Sequence, residues 1–148
     1  MGWRRPSTSD TLPRVSADLL GPVRSPFHAL AVTLVPEIVE SSPAEWDAFG
    51  RIVTNAIRSR PPRIQRQILL FIRLLDIVAL VRYGRRLEAL DPTRRTALVE
   101  AISKAPVLML RRGAWGLRTL VMMGYYARPE TQRAIGYRAD ARGWEARR

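Results

Sequence analysis

The stretch FIRLLDIVALV, residues 71–81, carries the strongest structural signal in the chain. Only Arg73 and Asp76 interrupt an otherwise apolar run. Apolar residues fall on nearly every side of a 3.6-residue turn, and no period-two alternation of convincing length occurs anywhere. The spacing predicts a helix from about Arg63 to Arg82 inside an all-α protein. A helix apolar on nearly all sides is expected at the centre of a domain, covered by its neighbours. Arg73 and Asp76 stand three residues apart, which predicts an ion pair with each other; a polar contact to a partner protein is the alternative.

Punctuation on either side of this segment supplies the other elements. Pro61-Pro62 ends a preceding helix that opens at Ser42-Pro43, with Ser42 as cap, Pro43 at the first position and acids in the first turn. Trp46, Phe49, Ile52 or Val53, and Ile57 repeat along it at helical spacing. Before it, Phe27–Val35 is a short apolar segment, helical and ended by Pro36. Residues 1–25, with Pro6, Pro13, Gly21 and Pro22, form an irregular arm with a short turn around Ala17–Leu20. Downstream, Asp91-Pro92 caps a fourth helix that runs to Lys104, and Pro106 starts a fifth. The expectation is a single compact all-α domain of five to six helices: arm 1–25, helical body 26–143 and basic tail 144–148.

Composition narrows the chemistry. The chain has 148 residues, enough to bury a core, and its apolar fraction of 47% argues against disorder. It has no cysteine and a single histidine, so thiol chemistry, disulfides and multi-histidine metal sites are excluded. That histidine, His28, sits beside Phe27 and reads as a packed or capping residue. The acids are scattered and stand mostly where helix starts favour them, as at Glu45, Asp47, Asp91 and Glu130. No paired acid/base constellation, phosphate loop or nucleophile elbow is present. The expectation is therefore a chain without catalytic, cofactor-binding or metal-binding residues of its own.

Charge suggests partners instead. The net charge is +12, and nearly all of it lies beyond residue 60, where 18 basic groups face 7 acids. Such a field attracts nucleic acid, anionic lipid or an acidic protein surface. The segment RYGRRLEALDPTRR, 82–95, is the candidate for nucleic acid, but Leu87, Glu88, Leu90 and Asp91 interrupt it, and a solvated basic face is the simpler account. Nucleic acid is thus an unlikely partner. Arg4-Arg5 is not followed by an apolar stretch, no apolar run is long enough to span a bilayer, and no export signal is visible. The sequence reads as cytoplasmic, with export alongside a signal-bearing partner as the alternative.

The fifth helix offers a more specific surface. At 100° per residue, Arg111, Trp115, Arg118, Met122 and Tyr126 share one stripe, with Tyr125 at its edge. Opposite lie Gly113, Gly116 and Gly124 with Leu117, Leu120 and Val121, a side suited to close packing on a neighbouring helix. The Arg/Trp/Met/Tyr stripe has the composition of an interface centre; the alternative is that it covers the domain's own C-terminal turn. An interfacial membrane helix over Pro106–Ala127 is a further alternative. Next comes GYYARPETQRAIGYR, 124–138, where two tyrosines meet a break at Arg128-Pro129 and a short turn closes on Gly136-Tyr137.

These segments resemble one family. ALAVTLVPE (29–37), LEALDPTRRTALVEAISKAP (87–106) and above all YYARPETQRAIGY (125–137) are similar to the small, gluconate 2-dehydrogenase subunit 3-like chains. Those chains accompany flavin-dependent oxidoreductases of the glucose-methanol-choline (GMC) class. The residues carrying the closing signature are Tyr125, Tyr126, Pro129, Glu130, Ile135, Gly136 and Tyr137. Gln132 and Arg133 stand where the family often has an aromatic. The resemblance implies a non-catalytic subunit that docks on a larger FAD-binding GMC-type partner, with the FAD in that partner. The expected interface is Arg111, Trp115, Arg118, Met122, Tyr125, Tyr126, Pro129, Ile135, Gly136 and Tyr137. The other readings of the residues are a basic nucleic-acid-binding module and a peripheral membrane adaptor of a redox enzyme.

Overall fold

The computed structural model describes residues 19–137; the expectations for residues 1–18 and for the tail lie outside the described residues. Among the described residues six α-helices follow one another: α1 Arg24–Leu34, α2 Pro43–Arg58, α3 Pro62–Tyr83, α4 Pro92–Ser103, α5 Leu108–Tyr126 and α6 Pro129–Ala134. Short 3-10 turns at Gly21–Val23, Pro36–Glu40 and Leu87–Ala89 link them, and no strand occurs among the described residues. The protein is all-α.

Local chemistry sets the helix ends. At α2 the Ser42 hydroxyl accepts from the Glu45 amide at 3.3 Å, and the Glu45 carboxylate accepts from the Ser42 amide at 2.6 Å. Two donors that a helix start leaves unpaired are thereby satisfied reciprocally. Asp91 caps α4 by accepting from the Arg94 amide at 2.9 Å. Proline occupies the first position of α2, α3, α4 and α6, where a missing N–H costs nothing. The fifth helix begins at Leu108, two residues after the proline expected to start it.

The core forms around α1 rather than α3. Phe27, Ala29, Leu30 and Ala31 are all buried, and α1 packs against α3, α4, α5 and the turns at Pro36–Glu40 and Leu87–Ala89. Phe49, Val53 and Ile57 of α2, Leu98 and Ile102 of α4, and Leu117 and Val121 of α5 complete this core. Leu20 and Val23 join it, so the packed body begins before residue 26 and takes in part of the expected arm.

The expectation that α3 lies at the centre is corrected. Ile72, Leu75, Asp76 and Ala79 face inward, while Leu70 is 63% exposed, Ile77 55% and Val81 81%. Apolar side chains all round a helix state what it can bury, and the remaining helices supply cover for one side only. The expected Arg73–Asp76 pair is also replaced. Asp76 accepts from the Arg86 guanidinium at 2.8 Å and from the Leu87 amide at 3.0 Å, with its side chain 11% exposed. The carboxylate thus fastens the loop after α3 to the helix and seats Leu87, which is fully buried.

Two of the three α5 glycines pack closely. A Cβ on Gly124 would stand 2.6 Å from Val53 and 2.8 Å from Phe49, and one on Gly113 would stand 2.5 Å from the Phe71 ring. Gly116 does not follow: it is exposed, with open space where a Cβ would go.

Candidate functional site

The far end of α5 is where the structure concentrates polar and aromatic groups. Pro129 disfavours helical backbone at the residue before it, and Arg128 is extended, at φ −72° and ψ 136°. This turn sends the Arg128 side chain inward, and the residue is 2% exposed. Its Nε donates to the Tyr125 carbonyl at 3.2 Å, one terminal nitrogen to the Ser41 hydroxyl at 3.1 Å and the other to the Thr131 hydroxyl at 3.1 Å. The guanidinium also lies over the Tyr125 ring, 4.5 Å from its centroid. Donating to a carbonyl of the last turn places the cation at the negative end of the α5 dipole. A single buried side chain therefore joins α5, α6 and the junction between α1 and α2.

Among the described residues no carboxylate forms an ion pair with Arg128. Compensation comes from a distance. An open hollow of about 380 Å³ lies over the guanidinium, with Glu37, Glu40, Glu45 and Glu130 on its wall beside Tyr125, Tyr126 and Ile135. Glu45 titrates below its ordinary value, mainly through the hydrogen bonds from Ser42 that favour the carboxylate, with a smaller contribution from the Arg128 charge. The hollow is an acidic patch on a protein whose net charge is +12.

The closing turn has its own logic. Gly136, at φ 68°, occupies the left-handed region that side-chain-bearing residues avoid. Its amide donates to the Arg133 carbonyl at 3.1 Å, and the Tyr137 amide donates to the Gln132 carbonyl at 2.8 Å. These two bonds terminate α6 in a Schellman arrangement. Ile135 and Tyr137 on either side of the glycine remain 58% exposed, so the motif stops the helix and leaves both side chains in water.

The sequence-predicted surface residues divide between three settings. Met122 and Tyr125 are half-buried against the core, and Tyr125 meets Tyr126 edge-on at 5.2 Å. Tyr126, Pro129, Ile135, Gly136 and Tyr137 are exposed around the α5–α6 turn. Arg111, Trp115 and Arg118 are exposed further back along α5, with Trp115 73% accessible. Eleven residues separate Trp115 from Tyr126, about 16 Å of helix axis, so the stripe is an elongated surface rather than one pocket. Sequence reasoning missed Arg128, read only as a break before proline. The Arg-Pro step signals an extended residue beside the last tyrosine of a helix, but not the direction of its side chain.

Three of the five arginines of the basic segment 82–95 make contacts within the fold while remaining exposed. Arg82 donates to the Tyr83 hydroxyl at 3.2 Å, Arg82 and Arg94 approach the Tyr83 ring at 5.6 and 5.9 Å, Arg86 holds Asp76, and Arg94 reaches Asp91 at 3.3 Å. His28 stacks on Trp46 with centroids 4.2 Å apart but is exposed, so the expected packed setting reduces to a ring contact at the surface. Among the described residues no helix is long and apolar enough to cross a membrane, and no group of three or more His, Cys, Asp or Glu is placed to hold a metal ion. No family model, curated protein or solved structure matches the chain.

Proposed function

We propose that this chain is a non-catalytic accessory subunit that docks on a larger flavoprotein of the GMC class and stabilises it or assists its maturation. The observation that carries the reading is the aromatic end of α5 and α6. Tyr126, Ile135 and Tyr137 stand in water on a turn held rigid by Arg128 and the α6 cap, with Trp115 continuing the surface along α5. Large side chains presented on a fixed frame lose little conformational entropy on binding, which is the profile of interface anchors. The resemblance of the 125–137 segment to gluconate 2-dehydrogenase subunit 3-like chains supplies the class of partner, and with it the FAD. The engagement of Arg82, Arg86 and Arg94 within the fold weighs against a nucleic-acid module built on that segment.

Purification of the tagged chain from its native cells, followed by an absorbance spectrum, tests the proposal. A larger protein in constant ratio with oxidised-flavin bands is expected, and Trp115→Ala with Tyr126→Ala should reduce its recovery at least about tenfold. A colourless chain eluting alone, or with nucleic acid that resists moderate salt, would overturn it.

A further inference from the structure

The outward side of α3 is a second, separate surface. Leu70, Leu74, Ile77 and Val81 succeed one another at spacings of four, three and four, and all are exposed. This is the spacing of a coiled-coil seam, about 16 Å long. One flank of the seam leans on the body, where Phe71 and Val78 pack against the core. On the open flank stand Arg66 and Arg73, seven residues apart and both exposed. Neither forms an ion pair among the described residues, and the only carboxylate of α3, Asp76, faces inward to Arg86 and Leu87.

We infer that this face takes an acidic amphipathic helix of another protein, seated along Leu70, Leu74, Ile77 and Val81 with Asp or Glu repeating every seven residues against Arg66 and Arg73. Charge selects the occupant. A second copy of the chain would bring two cationic flanks together across the seam, which destabilises such a pairing. A bilayer surface suits an uninterrupted apolar sector of 100° or more, whereas this stripe spans about 60°, and Arg66 and Arg73 stand between it and the exposed Leu80. The inference is independent of the flavoprotein reading.

A four-heptad peptide with Leu at the seam positions and Glu at the flanking ones is the probe, and its twin carries Lys in place of Glu. Titrated into the full chain at physiological salt, the Glu peptide should bind at least about tenfold tighter than the Lys peptide. Ile77→Asp should weaken it by about as much again. Joint Arg66→Glu and Arg73→Glu should reverse the preference, whereas joint Arg51→Glu and Arg85→Glu, the same change of net charge elsewhere, should preserve it. Circular dichroism melts confirm that each variant is folded. Equal affinity for the two peptides, or a control pair that acts as strongly as Arg66 and Arg73, overturns the inference. So does capture of the chain by phosphatidylglycerol vesicles with the same Ile77→Asp sensitivity, which assigns the face to lipid. A dimer in sedimentation that Ile77→Asp dissolves assigns it to a second copy.

Discussion

Asp76 and Arg128 are the two buried charges among the described residues, and the fold treats them differently. Asp76 meets an opposite charge, Arg86, and a backbone amide, all within the loop that follows its own helix. Arg128 meets two hydroxyls, a carbonyl and an aromatic ring, and one of those hydroxyls belongs to Ser41, 87 residues away in sequence. Both fasten a turn to the core. The acid does so with its countercharge in contact, whereas the base relies on neutral acceptors and on carboxylates across a hollow. A paired charge secures a local loop; a charge with neutral partners in hand secures three elements at once, and losing it should be felt more widely.

Removing Arg128 is the largest break in this comparison. Arg128→Ala deletes three charge-assisted hydrogen bonds and leaves the Thr131 hydroxyl without its donor, while the Tyr125 carbonyl keeps the Arg128 amide, so a loss of roughly 2–4 kcal/mol is expected in urea unfolding. Chemical shifts should move in α6 and around Ser41 together; changes confined to α6 would show that the link to Ser41 contributes nothing. Asp76→Ala should cost less, roughly 1–3 kcal/mol, because its Arg86 partner is 66% exposed and returns to water. Arg86→Ala should cost less again than Asp76→Ala, since the Leu87 amide keeps its acceptor. Equal losses from the two would mean that the ion pair, not the backbone bond, holds the loop.

Finer tests follow from the glycines and from pH. Gly124→Ala forces a methyl into Phe49 and Val53 and should destabilise by roughly 1–3 kcal/mol, whereas Gly116→Ala meets open space in a helix interior and should stabilise by about 0.5–1 kcal/mol. Opposite signs at two glycines of one helix would separate close packing from propensity in a pair of melting curves. The smallest effect concerns Glu45, whose folded-state titration lies below its ordinary value. A group with a depressed pKa contributes stability above its unfolded pKa and loses it as pH falls through the folded one. The acid limb of the stability profile should therefore be shallower in Glu45→Gln than in the parent chain, with the two differing least at the lowest pH.

The caps were legible because they are local. Ser42-Pro43, Asp91-Pro92 and the stop at Pro36 each depend on side chains a few residues apart, and the starts of α2 and α4 and the end of α1 follow from them, whereas α1 begins at Arg24, three residues before the expected Phe27. What escaped was direction. FIRLLDIVALV is apolar enough for a central helix, but α1, with only eleven residues and two buried alanines, holds the centre and leaves α3 at the edge. The Asp76 partner and the inward turn of Arg128 depend on loop paths that no residue spacing records. Of the site, the exposed aromatics Trp115 and Tyr126 were readable from composition and period, and Tyr137 from the closing turn at Gly136. The guanidinium beneath them was not, because an Arg-Pro step announces a backbone break and says nothing of where the side chain goes.

The central position of α1 has a consequence during synthesis. Its buried face is completed by α5, whose last residue lies about ninety positions beyond the end of α1. At roughly 5–20 residues per second, the ribosome keeps Phe27, Leu30 and their neighbours waiting for about 5–20 s before that partner exists. For that interval the apolar surface at the heart of the finished protein is nascent-chain surface, open to any chaperone that recognises a short apolar segment.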